Sequence, residues 1–107
     1  MQNTDFEIRY EFTCKTKNLL YVISCSKCGK QYIGETGTEL RLRMNVHRQQ
    51  IRDPNLRHLK VSKHIHDCAQ GEFTVSPFYK LHTDNQTIRE YKEAYFIRKL
   101  HPELNSA

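Results

Sequence analysis

Four residues of this chain carry donor atoms at the spacing a transition-metal ion needs. Cys25-Ser-Lys-Cys28-Gly29 reads as a tight corner in which both sulfurs can face one ion. Further on, Val61-Ser-Lys-His64-Ile-His66-Asp-Cys68 reads as a short helix that sets an imidazole and a thiol one turn apart. Val61 and Ile65 mark its inward side, and His64 and Cys68 share that side. Two ligands from a hairpin corner and two from a helix complete a tetrahedral, structural zinc site. Cys14 is the main rival ligand, although extended geometry puts it ~20 Å or more from the Cys28 corner unless the chain folds back. His58 and His66 are lesser rivals, since His66 points off the Val61/Ile65 face. Cys25 and Cys28 could instead form a redox pair, and four cysteines could form a disulfide framework of a small secreted domain. No signal-peptide pattern opens the sequence, which favours thiols.

The second group of candidate residues needs a whole fold to assemble it. The apolar runs on either side of the cysteine corner, Asn18-Leu-Leu-Tyr21-Val-Ile-Ser and Gln31-Tyr32-Ile-Gly34, read as a β-hairpin with one tyrosine in each strand. Thr36-Gly-Thr-Glu39 reads as a capping box that starts a helix whose apolar face is Leu40, Met44 and Ile51. Arg43 and His47, four residues apart, lie along one flank of it, with Arg41 out of phase. Thr87-Ile-Arg-Glu90 reads as a second capping box, opening a helix that runs toward Leu100 and stops at Pro102. That helix carries Glu93, with Glu90 one turn earlier as a competing carboxylate that more plainly serves the cap. Asn105 follows near the chain end.

Between these elements Asp53-Pro54-Asn55 is a turn, Gln70-Gly71 ends the second helix, and Glu72 to Leu81 alternates as a third strand. Pro77 marks that strand as an edge or a bulge. The order is β-β-α-α-β-α. It predicts an α+β (α/β) domain with a small mixed, largely antiparallel three-stranded sheet flanked by helices. Residues 18–107 form the expected domain, and 1–17 an N-terminal arm or an added strand.

Taken in order, these pieces resemble the GIY-YIG nuclease superfamily. Tyr32-Ile33-Gly34 matches the second half of its signature in full, and Leu19-Leu20-Tyr21 matches the first half at the tyrosine, with leucine where glycine is usual. Arg43-Met-Asn-Val-His47, Glu93 and Asn105 match the later positions, so the resemblance runs from Asn18 to Asn105. It implies a phosphodiester hydrolase. Tyr21 is then the general base or the group that positions the attacking water, and Tyr32 a hydrogen-bond partner of the water or the scissile phosphate. Arg43 presents a planar fork of donors to phosphate oxygens, and His47 could relay the proton. Glu93 is the carboxylate for Mg2+ or Mn2+, which can polarise the phosphoryl oxygen and support the leaving oxygen. Asn105 helps order the site. A free tyrosine is a poor base at neutral pH, so Arg43, Lys30 and the metal are the candidates to lower its pKa.

The Cys-x-x-Cys set between the two tyrosine motifs narrows the resemblance to the endonuclease domain of Penelope-like retroelements, where the last ligand is commonly histidine. That resemblance implies DNA as partner, nicking of target DNA, a fused reverse transcriptase in a larger polyprotein, and a nuclear, intracellular setting. No polymerase sequence is present here, so the expectation is an excised domain or a stand-alone relic. The alternative is a zinc-stabilised nucleic-acid-binding module that has lost its nuclease activity.

Composition fits a small nucleic-acid enzyme. The chain has 107 residues, is 37% hydrophobic and carries a formal net charge of +5. That is one domain with a modest core, and no apolar run approaches membrane-spanning length. The excess charge is local. From Glu39 to Lys63 there are seven basic residues and two acids, and the remainder of the chain is balanced. Arg41, Arg48, Arg52 and Arg57, together with Lys30, are therefore the expected DNA contacts, forming a basic stripe beside Arg43.

Overall fold

The computed structural model describes residues 12–56 and 59–105. The expected arm or added strand therefore lies mostly outside the described residues, as do Arg57 and His58. The observed order is β1 (Leu19–Cys25), β2 (Gln31–Thr36), α1 (Leu40–Arg52), α2 (Lys60–Ala69), β3 (Phe73–Lys80) and α3 (Gln86–Leu100). Short 3-10 turns follow α1 at Pro54–Leu56 and α3 at Glu103–Asn105. This is the β-β-α-α-β-α order expected from the sequence.

The sheet order is β2-β1-β3, antiparallel at both pairings. The central strand β1 is apolar nearly throughout because both its faces are covered. Leu19, Tyr21, Ile23 and Cys25 pack with Leu40, Met44 and Ile51 of α1 and Val61, Ile65 and Ala69 of α2. The alternate residue Leu20 is equally buried on the other face, and α3 closes that side, with Phe96 meeting the rings of Phe78 and Tyr79. On β3, Pro77 sits both on an edge strand and beside a register shift. Leu20 pairs with Tyr79 and Tyr21 with Pro77, leaving Phe78 as the extra residue.

Both expected capping boxes are absent, for physical reasons. At α1 the cap residue is Glu39, and no side chain caps the helix. The first amides are met instead by main chain from the N-terminal segment: Leu40 N donates to Thr16 O (3.0 Å) and Arg41 N to Cys14 O (2.8 Å). The Thr36 hydroxyl accepts from Thr38 N at 3.1 Å, a local turn rather than a cap. Glu39 turns outward to Arg41 Nε at 2.7 Å. At α3 the cap is Asn85, whose Oδ1 accepts from Ile88 N at 3.2 Å, so Thr87 and Glu90 lie inside the helix. Glu90 accepts from Gln86 Nε2 along the helix surface, at 2.8 Å, and caps nothing.

Candidate active site and metal centre

Tyr21 stands on the central strand with its ring fully buried. Its hydroxyl lies 2.7 Å from His47 Nε2 and accepts from Arg43 Nε at 3.3 Å. Arg43 and His47 reach it together because they are one turn apart on α1, the helix packed on this face of the sheet. The His47 ring is 2% exposed. It stands edge-on between Tyr21 and Tyr32, with centroids 5.7 Å and 5.8 Å away.

This packing fixes the protonation states. Burial, with Arg43 as the nearest charge, pushes the His47 pKa down to about 4, so the imidazole is neutral at working pH. Burial raises Tyr21 far above the ordinary tyrosine value against the opposing pull of Arg43. A protonated phenol that accepts from Arg43 can donate its own hydrogen to His47 Nε2 when the neutral imidazole carries its proton on Nδ1. Tyr32 is raised too, by burial first and then by Glu93. Glu93 itself is held up at about 7, by burial and by the neighbouring carboxylates Glu35 and Glu90. Glu93 thus acts on Tyr21 and Tyr32 from α3 on the opposite side of the sheet. Lys30 is exposed, and the group it acts on is Glu103.

Gly34 pairs with Tyr21 across the hairpin. A Cβ at position 34 would stand 2.5 Å from the Tyr21 Cζ and hydroxyl, so no larger residue fits there without moving the ring. Asn105, expected to help order the site, binds strand β2 rather than the reacting groups. Its Oδ1 accepts from Ile33 N at 2.7 Å and its Nδ2 donates to Ile33 O at 2.9 Å. Glu103 Oε1 accepts from Gln31 N at 3.2 Å, so the last 3-10 turn covers this stretch of the sheet edge.

The expected basic stripe does not continue from Arg43. At 3.6 residues per turn, Arg41, Arg48 and Arg52 lie roughly 140–180° around α1 from Arg43, with the apolar face occupying one side between them. Arg48 donates to Asn45 Oδ1 at 3.1 Å and stands 5.9 Å over the Phe73 ring. With Arg52, Ile51, Gln70 and Gly71 it borders a shallow cavity of about 200 Å³ at the α2–β3 turn.

The cysteine corner and α2 do converge. The donor atoms of Cys25, Cys28, His64 and Cys68 all lie within 4.8 Å of one another. His64 Nε2 is 3.2 Å from Cys28 Sγ. All four cysteines are free thiols, and Cys14 is exposed beside the start of α1, apart from the cluster. His66 faces Asp67 Oδ1 at 2.9 Å. Burial pushes the Cys25 thiol up, but the Cys28 and Lys27 amides and the Cys28 and His64 side chains outweigh it and hold it at about 6. Burial raises the Cys68 thiol, and contact with Cys25 and Cys28 raises it further. Three sulfurs and one imidazole around a single point fit Zn2+, whose charge would let the thiols ionise together.

A paired-tyrosine hairpin meets an arginine and a histidine of the next helix, and a carboxylate on the last helix lies within electrostatic reach of both tyrosines. A family model of the GIY-YIG catalytic domain matches residues 10–105. The chain belongs to the GIY-YIG family. This makes it a nuclease-family domain, with DNA as the implied substrate and divalent metals in general use among its members. Comparison with curated proteins and with solved structures returned no match. Among the described residues no helix is long and apolar enough to cross a membrane. One buried group of this GIY-YIG domain was not singled out from the sequence. Arg89, one turn before Glu93 on α3, donates from Nε to Glu35 Oε1 at 2.8 Å. The available signal was that i, i+4 spacing to Glu93, together with Glu35 next to the Tyr-Ile-Gly motif.

Proposed function

We propose that this domain is a Mg2+- or Mn2+-dependent DNA endonuclease that nicks target DNA for a retroelement of the Penelope-like type. The observation that carries the chemistry is the Tyr21 hydroxyl held between Arg43 Nε and His47 Nε2, at 3.3 Å and 2.7 Å.

In this reading the remaining guanidinium donors of Arg43 bind the scissile phosphate and stabilise the charge that grows on its oxygens. Tyr21 is not a standing phenolate. It takes a proton from the attacking water while passing its own to His47 Nε2. Arg43 opposes that transfer in the free protein by disfavouring a cation nearby. A bound phosphate neutralises Arg43 and makes His47 the stronger acceptor. Tyr32, on the same face, contacts the water or the phosphate. Glu93 fits a single-carboxylate metal position, since burial and two neighbouring carboxylates leave it short of positive charge. When bound, the ion supplies Lewis-acid polarisation of the phosphoryl oxygen and support for the leaving oxygen.

Cys25, Cys28, His64 and Cys68 would hold a structural Zn2+, their four donors leaving no open position. The Cys25-x-x-Cys28 half of this cluster, set between the two tyrosine motifs, supports the retroelement reading. With it come a reverse transcriptase as fused partner and a nuclear setting. The proposed boundaries are a nuclease domain over 18–107 and an N-terminal arm over 1–17. Of the proposed DNA contacts, Lys30 lies at the corner and Arg41, Arg48 and Arg52 form a second basic flank; Arg57 lies outside the described residues.

The test is incubation of supercoiled plasmid with Mg2+ or Mn2+, wild type against Glu93→Ala. Nicking by the wild type and none by the variant, with fold and zinc content unchanged, is the expected result. Wild-type nicking by Glu93→Ala removes the proposed metal position.

A further inference from the structure

Arg89 is the one buried Lys, Arg, Asp or Glu among the described residues, at 8% exposure. Besides Glu35, it donates from Nη1 to Asn18 Oδ1 at 3.2 Å and to Asp84 O at 3.0 Å. Its partners come from β2, from the lead-in to β1 and from the loop before α3. The chain also keeps space for it: a Cβ at Gly37 would stand 2.7–2.9 Å from the guanidinium atoms.

A buried ion pair is a poor way to gain stability, because desolvation offsets most of the attraction. What it gives is a defined geometry, and the two ends of this pair are informative. Glu35 lies three residues beyond Tyr32 on β2, and Arg89 lies one turn before Glu93 on α3. The bridge therefore joins the strand that carries Tyr32 to the helix that carries Glu93. Glu35 is also the carboxylate most strongly felt by Glu93, and it acts on Tyr32 and Arg43 as well. Without Arg89, a second carboxylate would be loose beside the metal position.

We propose that Arg89 is a positioning residue that fixes Glu93 against Tyr32 and holds the Glu35 carboxylate engaged, leaving Glu93 as the carboxylate open to the catalytic metal. This rests on the nuclease reading above. Arg89 touches neither metal nor DNA; it selects which acid does.

The test uses the full chain as wild type, Arg89→Met and Arg89→Met/Glu35→Gln. Methionine fills much of the arginine volume without a charge, and the double variant also removes the stray acid. Three quantities are read: Mn2+ affinity by electron paramagnetic resonance, the Mg2+ concentration for half-maximal nicking, and kcat at saturating plasmid. Arg89→Met should shift both metal constants by about tenfold or more and lower kcat, with DNA affinity unchanged. The double variant should recover part of the metal affinity. Wild-type metal constants in a folded Arg89→Met protein overturn the proposal, as does a double variant no better than the single. If Arg89→Met fails to fold, Arg89→Lys, which keeps charge but loses the fork, is read in the same way. Absence of nicking by the wild type sinks the nuclease reading instead, and the Mn2+ affinities still decide the role of Arg89.

Discussion

Asn105 spends both ends of its amide on one residue, accepting from Ile33 N at 2.7 Å and donating to Ile33 O at 2.9 Å across 72 positions of sequence. It does for the outer edge of β2 what a fourth strand would do. Asn105→Ala should lose about 1–3 kcal/mol of stability, since two main-chain groups at a partly buried edge lose their partner. Asn105→Asp should be worse, because an acceptor would then face the Ile33 carbonyl. Urea unfolding together with amide exchange at Ile33 measures this. Unchanged protection at Ile33 in Asn105→Ala would mean that the contact does not hold the edge.

His47 sets a pH dependence whose sign follows from burial. Its folded pKa, about 4, lies below the ordinary histidine value near 6.5. Its contribution is therefore fully present above about pH 6.5 and is lost as pH falls through about 4, by at most about 3 kcal/mol. Glu93 runs the other way in the metal-free protein. Its folded pKa is raised to about 7, so its contribution is complete below the ordinary glutamate value and is lost as pH rises through 7. Urea melts from pH 4 to 8 on wild type, His47→Gln and Glu93→Gln should separate the two limbs. A His47 ring resonance titrating near 6.5 would sink the buried, neutral imidazole on which the proton path depends.

The cysteine cluster and the carboxylate should fail differently. Cys28→Ser, or chelation, should release the corner from α2 and lower the melting temperature by about 10 °C or more, with activity falling only as the fold does. Glu93→Ala should leave melting and zinc content almost unchanged. Metal analysis beside the two melting curves decides. One equivalent of zinc and wild-type melting in Cys28→Ser would mean that the four donors are not the ligand set.

The sequence was most readable where chemistry is local. Two strands around a cysteine corner, an inward-facing His-x-x-x-Cys and an arginine one turn from a histidine all follow from spacing, and the fold brings each group together. Helix starts were misread because the Thr-x-x-Glu pattern describes side chains, whereas α1 is capped by the carbonyls of Thr16 and Cys14. Any residue type could supply those carbonyls. For α3 the cap is Asn85, itself a preferred capping residue, two residues before Thr87. Arg89 was hidden for a different reason. An arginine is ordinarily a surface residue, and its burial depends on Glu35 and Asn18, which are 54 and 71 positions away. The second basic flank could have been separated from Arg43 by helical arithmetic alone.

The Tyr21 ring packed over Gly34 has a consequence for how this domain can change over generations. The glycine and Tyr21 occupy one volume between them, so a side chain gained at position 34 requires a ring lost at position 21. The ring carries the hydroxyl that Arg43 and His47 hold. A lineage that acquires bulk at position 34 thus has no repair by shrinking its neighbour that keeps the phenol. A single substitution in either strand removes the phenol from its place, and once both positions have changed, the return path needs both restored together.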